Sequence, residues 1–317
     1  MRRTDQGERR YGYGIGEWYG RSFVGLSPDE RRSYARLQSV AKRQRASQPC
    51  LPRRTPETEV ECTKEGGVCS LRLYELNGQT GEVTVAPGEA GGLITTCPYR
   101  FYEGDQVFRW IAQDILGHAE PLIVREVGFL ERPSAPGLQG RDDAGSEDVG
   151  RIDHVLVHPD TALLSWCALE MQAVYFSGDS MRNEFRMLLE GGGDRLPFPA
   201  GRRRPDYRSS GPKRLMPQLQ VKVPTLRRWG KKMCVLVDRA FFSALAPMES
   251  VDDVSNCDIC WFVVRYDEGG GEARLTPGFV HLTTLERAVE GLTAGRPVTL
   301  QTFEGRIRAK LRLPSAG

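Results

Sequence analysis

Apolar positions in this chain recur at two spacings, and each marks its own set of elements. In "DQVFRWIAQDILG", residues 105–117, Val107, Ile111 and Ile115 return every four residues, which predicts a helix closed by Gly117. "SPDERRSYARLQSVAKRQRA" (27–46) predicts a charged helix starting near Ser27 or Asp29. "GDSMRNEFRMLLEGGG" (178–193) predicts another, with Asp179 or Ser180 as N-cap and a stripe of Met181, Phe185, Leu188 and Leu189. "LTTLERAVEGLTAG" (282–295) predicts a terminal helix. Strands are predicted at "EPLIVREVGFL" (120–130), "RIDHVLV" (151–157), "ALLSWCALEMQAVYF" (162–176) and "ICWFVVRYD" (259–267). Residues 219–245 read as a strand or helix start, a basic turn, and a strand running into a helix; "IRAKLRL" reads as a final strand or helix. The first 18 residues read as loosely ordered, and 191–217 as loop. This order predicts an α/β fold with a central mixed β-sheet flanked by helices.

Composition narrows the class. At 317 residues, 39% hydrophobic and 27% charged, the chain can bury one large core or two ordinary ones, which excludes wholesale disorder. No run approaches 18 apolar residues, and "MRRTDQGERRYGYG" has no secretory core, so a reducing cytosol is expected. There, eight cysteines serve as buried thiols, metal ligands or nucleophiles. The net charge of +3 says little, but its distribution says more. Twelve Lys/Arg stand against one acid, Asp206, between Arg195 and Lys232, and thirteen against five acids in the first 54 residues. Two basic blocks, separated by the acidic run "RDDAGSED" (141–148), point to contact with a polyanion. "YGYGIGEWYG" (11–20) has no preceding strand and no following Gly-Lys-Ser/Thr, so it is not a phosphate loop.

The candidate chemistry lies in the middle of the chain. Glu170 and Gln172 stand two apart in a run that otherwise reads as buried strand, so they share a face. Upstream, Asp153 shares a face with Val155 and Val157. A hairpin turning at "HPD" and centred near Asp160 places Asp153 opposite about Cys167, with Glu170 a near neighbour. Paired carboxylates repel unless a cation lies between them, and oxygen ligands of this kind suit Mg²⁺. On spacing alone, the solvated face of an edge strand remains an alternative. Cys50, Cys62, Cys69 and Cys97 are unevenly spaced; four thiolates could hold a tetrahedral ion, with zinc the default. Cys257 and Cys260 read as small thiols at a strand start, and Cys167 and Cys234 as core. His154 neighbours Asp153 but should face the opposite way.

Asp followed by Glu-x-Lys on paired strands is the pattern of the PD-(D/E)xK nucleases, and one branch carries Gln in place of Lys. "RIDHVLV" with "ALEMQAVYFSG" resembles that branch, the NotI family of rare-cutting type II restriction endonucleases. "PCLPRR", "ECTKEGGVC" and "TCPYRF" resemble its cysteine segments, and "CWFVVRYD" and "LTTLERAVEGL" its C-terminal strand and helix. Together they cover roughly residues 45–310.

The resemblance implies a PD-(D/E)xK restriction-endonuclease-like core at 105–317. It also implies an N-terminal cysteine-rich metal-binding region with a DNA-contacting arm at 1–104. It implies Mg²⁺-dependent hydrolysis of double-stranded DNA at a palindromic, GC-rich site, leaving 5′-phosphates, by Asp153, Glu170 and Gln172. Glu126 would be a third carboxylate, with Glu131 competing. Structural iron would be held by Cys50, Cys62, Cys69 and Cys97. The DNA contacts expected are Arg202, Arg203, Arg204, Lys213, Arg214, Arg227, Arg228, Lys231 and Lys232. A homodimer in the prokaryotic cytoplasm, paired with a cognate DNA methyltransferase, is expected. The rival reading is a non-catalytic, metal-stapled DNA-binding protein.

Overall fold

The structure, a computed structural model, describes residues 9–131, 148–191, 195–199, 201–269, 272–293 and 298–311. The acidic run expected as a loop at 141–148 lies outside them, apart from the backbone of Asp148.

The N-terminal segment is built on an antiparallel sheet. Its strands are β1 (Arg10–Trp18), β2 (Arg21–Ser22), β3 (Val68–Leu76), β4 (Val83–Val85) and β5 (Ile94–Thr95). The expectation of a loosely ordered start is corrected by β1. Its glycines look like loop in the sequence, yet they admit close neighbours: a Cβ on Gly12 would lie 2.3 Å from the Pro199 carbonyl oxygen. Helix α1 (Pro28–Ser39) starts where expected, with Ser27 and Glu30 forming a reciprocal capping box.

The N-terminal sheet is tied to the rest by a buried ionic cluster. Arg100 binds Glu17 at 2.8 Å and Glu103 at 2.7 Å and donates to the Ala273 carbonyl oxygen at 2.8 Å. Ser70 donates to the other oxygen of Glu17.

The central sheet has six strands and is mixed. Its strands are β6 (Leu122–Glu131), β7 (Asp148–Val157), β8 (Trp166–Met171), β11 (Met233–Asp238), β12 (Ile259–Asp267) and β13 (Arg274–Thr283). The short pair β9 (Phe176–Ser177) and β10 (Arg204–Pro205) stands apart. The order is β13-β12-β11-β8-β7-β6; β8, β11 and β12 run parallel and the remaining pairs antiparallel.

Helices complete the layers: α2 (Gln106–Leu116), α3 (Arg182–Glu190), α4 (Tyr207–Ser210), α5 (Met216–Arg228), α6 (Arg239–Ser243), α7 (Leu285–Thr293) and α8 (Leu300–Leu311). Alternation sorts the strand side chains. Ala168, Val235 and Trp261 pack with Leu219, Val223 and Leu226 of α5, while Leu169, Leu236 and Phe262 pack with Phe108 and Ile111 of α2. Burying each such aliphatic side chain stabilises the fold by about 1.5–3 kcal/mol.

Several boundaries depart from expectation. The run 162–176 is not one strand: residues 161–164 form a turn, Leu164 has φ 43°, and β8 ends at Met171. Helix α3 has Met181 at its N-cap with no side-chain cap, so neither Asp179 nor Ser180 serves. The loop expected at 191–217 contains α4, and a single π-type turn (Gly211–Leu215) leads directly into α5. Among the described residues no helix is long and apolar enough to cross a membrane.

Candidate active site

The ladder brings three carboxylates into one row. β7 pairs with β8 through His154↔Leu169 and Val155↔Ala168, and Asp153 and Glu170 are the next residues past the last pair, brought together in one cleft. β6 pairs with β7 through Arg125↔His154 and Val127↔Ile152, so the rung between them sets Glu126 beside Asp153. The hairpin register thus differs by three residues from the expected partner, Cys167, which instead faces Leu156. The connection is longer than a tight "HPD" turn because Leu163 and Leu164 belong to the loop, which His158 N closes on the Ser165 carbonyl oxygen at 2.8 Å.

The pleat slips at this row. Ile152 and Val155, three apart, pack in the same cluster, and Glu126 adopts φ 53°. Asp153 is left exposed, whereas Glu170, on the face of Ala168 toward α5, is only 2% exposed. Glu126 projects outward and pairs loosely with Arg151 at 3.4 Å. The side chain of its rival, Glu131, lies outside the described residues. Gln172 follows the end of β8; its backbone N–H reaches Leu236 O at 3.0 Å and its carboxamide donates to the Ala173 carbonyl oxygen.

A residue without a sequence signal completes the centre. Lys222 of α5 lies on the buried stripe with Leu215, Leu219, Val223 and Leu226. Its Nζ donates to Glu170 Oε2 at 2.6 Å and to Gln218 Oε1 at 2.8 Å. Burial pushes the Glu170 carboxyl up to about 7; Lys222 pulls the other way and the Asp153 carboxylate adds to the rise. His154 faces away from this row as expected, contacting the Tyr102 hydroxyl at 2.5 Å through Nε2 and stacking on Phe108. Its burial lowers its pKa.

Glu126, Asp153, Glu170, Gln172 and Gln218 line a cleft of about 640 Å³ ringed by cations. Three arginines on its wall each lie over a tyrosine ring: Arg53 over Tyr99 at 4.1 Å, Arg125 over Tyr102 at 5.0 Å and Arg214 over Tyr175 at 3.7 Å. Lys64 joins them. Of these four, sequence reasoning named only Arg214. Arg53 and Lys64 follow Cys50 and Cys62 by three and two residues, a position that carries no signal of its own.

Most of the other expected DNA contacts are placed elsewhere. Arg203 is buried in an ion pair with Glu184 and also donates to Tyr13 O at 3.2 Å, so it is a structural strut. Arg227 is held by Asp258 and Glu286. Arg228 bonds Thr225, Lys231 lies over Trp166, and Lys232 holds the Ser255 and Cys257 carbonyls. These four lie toward the start of β11, whereas Glu170 is near the far end of β8 and pairs with Val235. Arg202, Arg204 and Lys213 are exposed but do not line the cleft.

The four N-terminal cysteines are drawn together in pairs. Cys50 and Cys62 lie on a two-way backbone clamp, with N–H···O of 2.7 Å to Val60 and Gln48. The neighbouring Cys62 thiol and Arg53 lower the Cys50 thiol, while Cys62 is raised. Cys97 N–H bonds Cys69 O at 3.1 Å, and burial raises both of those thiols. All eight cysteines are free. Among the described residues, however, no three His, Cys, Asp or Glu side chains are close enough to hold a metal ion, so neither the cysteines nor the carboxylate row forms a closed site. Cys257 and Cys260 are buried thiols 3.3 Å apart, as their place at a strand start suggested.

A mixed sheet that brings an aspartate and a glutamate together, inside an arginine-ringed cleft, has the makings of a nuclease centre. A scan against protein-family models matches residues 35–276 to the family described as restriction endonuclease NotI. The match covers most of the chain, and the chain belongs to that family. It is therefore a type II restriction endonuclease, a site-specific deoxyribonuclease that cleaves double-stranded DNA. A search of curated proteins returns no match.

Proposed function

We propose that this enzyme cuts double-stranded DNA with Mg²⁺ at a palindromic, GC-rich site, leaving 5′-phosphates, through a PD-(D/E)xK-type core over 105–317. The observation that carries the reading is that Asp153 and Glu170, one step past the last β7–β8 pair, line the same cleft as Arg53, Arg125 and Arg214. The donor set fits Mg²⁺: two carboxylates and the Met171 carbonyl supply hard oxygen ligands. When bound, the cation makes water a better nucleophile and stabilises charge growing on the phosphate.

The chain's own residues do the remainder. Asp153 and Glu170 hold the cation, and Gln172 orients a water or phosphate oxygen once its carboxamide leaves Ala173 O. The tyrosine-seated arginines hold flanking phosphates, with Glu126 assisting at the rim. A palindrome read symmetrically calls for a two-fold dimer with one such centre per strand. A cognate methyltransferase protects the host in the same cytoplasm.

Cys50, Cys62, Cys69 and Cys97, free thiols gathered from four segments of region 1–104, have the donor chemistry of a structural iron site, with zinc as the alternative.

The test is Mg²⁺-dependent cleavage of genomic-scale DNA, with the ends sequenced, beside Glu170→Ala. Wild type should give defined 5′-phosphate ends and Glu170→Ala none; wild type that binds DNA but never cuts it sinks the metal-dependent mechanism. Elemental analysis finding neither iron nor zinc in stoichiometric amount sinks the cysteine site.

A further inference from the structure

The family pattern expected here puts glutamine, not lysine, two residues after the glutamate, and Gln172 brings no charge to the centre. A lysine nevertheless reaches it from another element. Lys222 is 5% exposed, and two of its three N–H donors are directed at Glu170 Oε2 and Gln218 Oε1. Among the described residues it is the one cation paired with Glu170.

Packing does not account for it. Its neighbours on the α5 stripe are leucine and valine, and replacing a buried ion pair by well-packed apolar groups is commonly neutral or stabilising. Nor does another group do its work: Gln172 is turned to Ala173 O, and the cleft arginines are seated on tyrosine rings.

The pairing also divides the carboxylate. With one lone-pair site of Oε2 taken by Lys222, Oε1 is the freer oxygen for a ligand on the Asp153 side. A single oxygen suits Mg²⁺, which takes small, near-octahedral sites, whereas Ca²⁺ readily takes both oxygens of one carboxylate.

We propose that Lys222, braced by Gln218, is a positioning residue that clamps Glu170 by one oxygen, and that the clamp makes the centre selective for Mg²⁺ over Ca²⁺. The inference rests on the metal-dependent reading of this site. The other charged groups around Glu170 are Asp153 and His154 on β7, Glu126 and Arg125 on β6, Arg53 and Lys64 from the N-terminal region, and Arg214 before α5. None of them grips Oε2.

The experiment compares wild type with Lys222→Met in the full-length protein. Removing one positive charge favours both cations alike, so freeing the second oxygen should tighten calorimetrically measured Ca²⁺ binding about tenfold more than Mg²⁺ binding. The same change should lower kcat in Mg²⁺ about a hundredfold, with KM for DNA within about twofold. Gln218→Ala, which loosens the brace alone, should tighten Ca²⁺ binding about threefold more than Mg²⁺ binding, and it serves if Lys222→Met does not fold. Ca²⁺ binding that is unchanged or weaker relative to Mg²⁺ binding in the variant that folds overturns the clamp. If wild type never cuts DNA while the Ca²⁺ shift appears, the cleavage reading fails and the clamp stands.

Discussion

Replacing Glu170 by glutamine is expected to stabilise the metal-free protein at pH 8 while abolishing cleavage. Burial holds the Glu170 carboxyl at about 7 against an ordinary value of 4.5, despite Lys222. A carboxyl raised in this way favours the fold only while protonated. Its contribution is full below pH 4.5 and is lost as the pH climbs through about 7. At about 1.4 kcal/mol per pKa unit, the ionised side chain costs the folded state on the order of 3 kcal/mol at pH 8. Water does little to screen that charge, because Glu170 is 2% exposed.

Glutamine keeps the neutral shape at every pH. Urea unfolding in metal-free buffer should therefore show Glu170→Gln more stable than wild type by about 3 kcal/mol at pH 8, with the two curves converging near pH 4.5. Added Mg²⁺ should restabilise wild type and leave the variant nearly unchanged. A variant less stable than wild type at pH 8, or a gap that does not close on acidification, would refute the reasoning.

Arg100→Met strands Glu17 in the interior and should cost about 3–5 kcal/mol, read by chemical denaturation. Arg125→Ala and Arg214→Ala should each weaken DNA binding and reduce the salt slope by about 1, measured by titration across salt concentrations. Arg227→Ala, whose guanidinium is held by Asp258 and Glu286, should leave that slope unchanged in the same titration. Arg203→Ala should lower thermal stability before it alters DNA affinity, because its partner Glu184 is buried with it.

What the sequence made legible were features whose pattern and chemistry agree. The α2 periodicity, the Ser27 capping box and the Asp153–Glu170 hairpin all have local signals. The register was hidden by Leu163 and Leu164: apolar residues that read as strand are 83% and 57% exposed in the turn. β1 was hidden by alternate glycines that serve close packing rather than a loop. Lys222 lies 52 residues from Glu170, in "QVKVP", where valines and Pro224 obscure a helix stripe. Within the run 202–204, Arg203 is the residue whose place the sequence hid, because charge is visible in a sequence and a buried partner such as Glu184 is not.

The carboxylate row also bears on how this centre can change over evolution. Glu126, Asp153 and Glu170 come from three neighbouring strands, so their positions follow from the paired residues beside them rather than from loops. Insertions or deletions within the turn at 158–165 would be taken up there and leave the row intact. A single residue added between Asp153 and Val157, or between Trp166 and Glu170, would send one carboxylate to the α2 side of the sheet. Length drift should therefore accumulate in the hairpin tip, while the short stretches flanking it tolerate substitution but not a change in length.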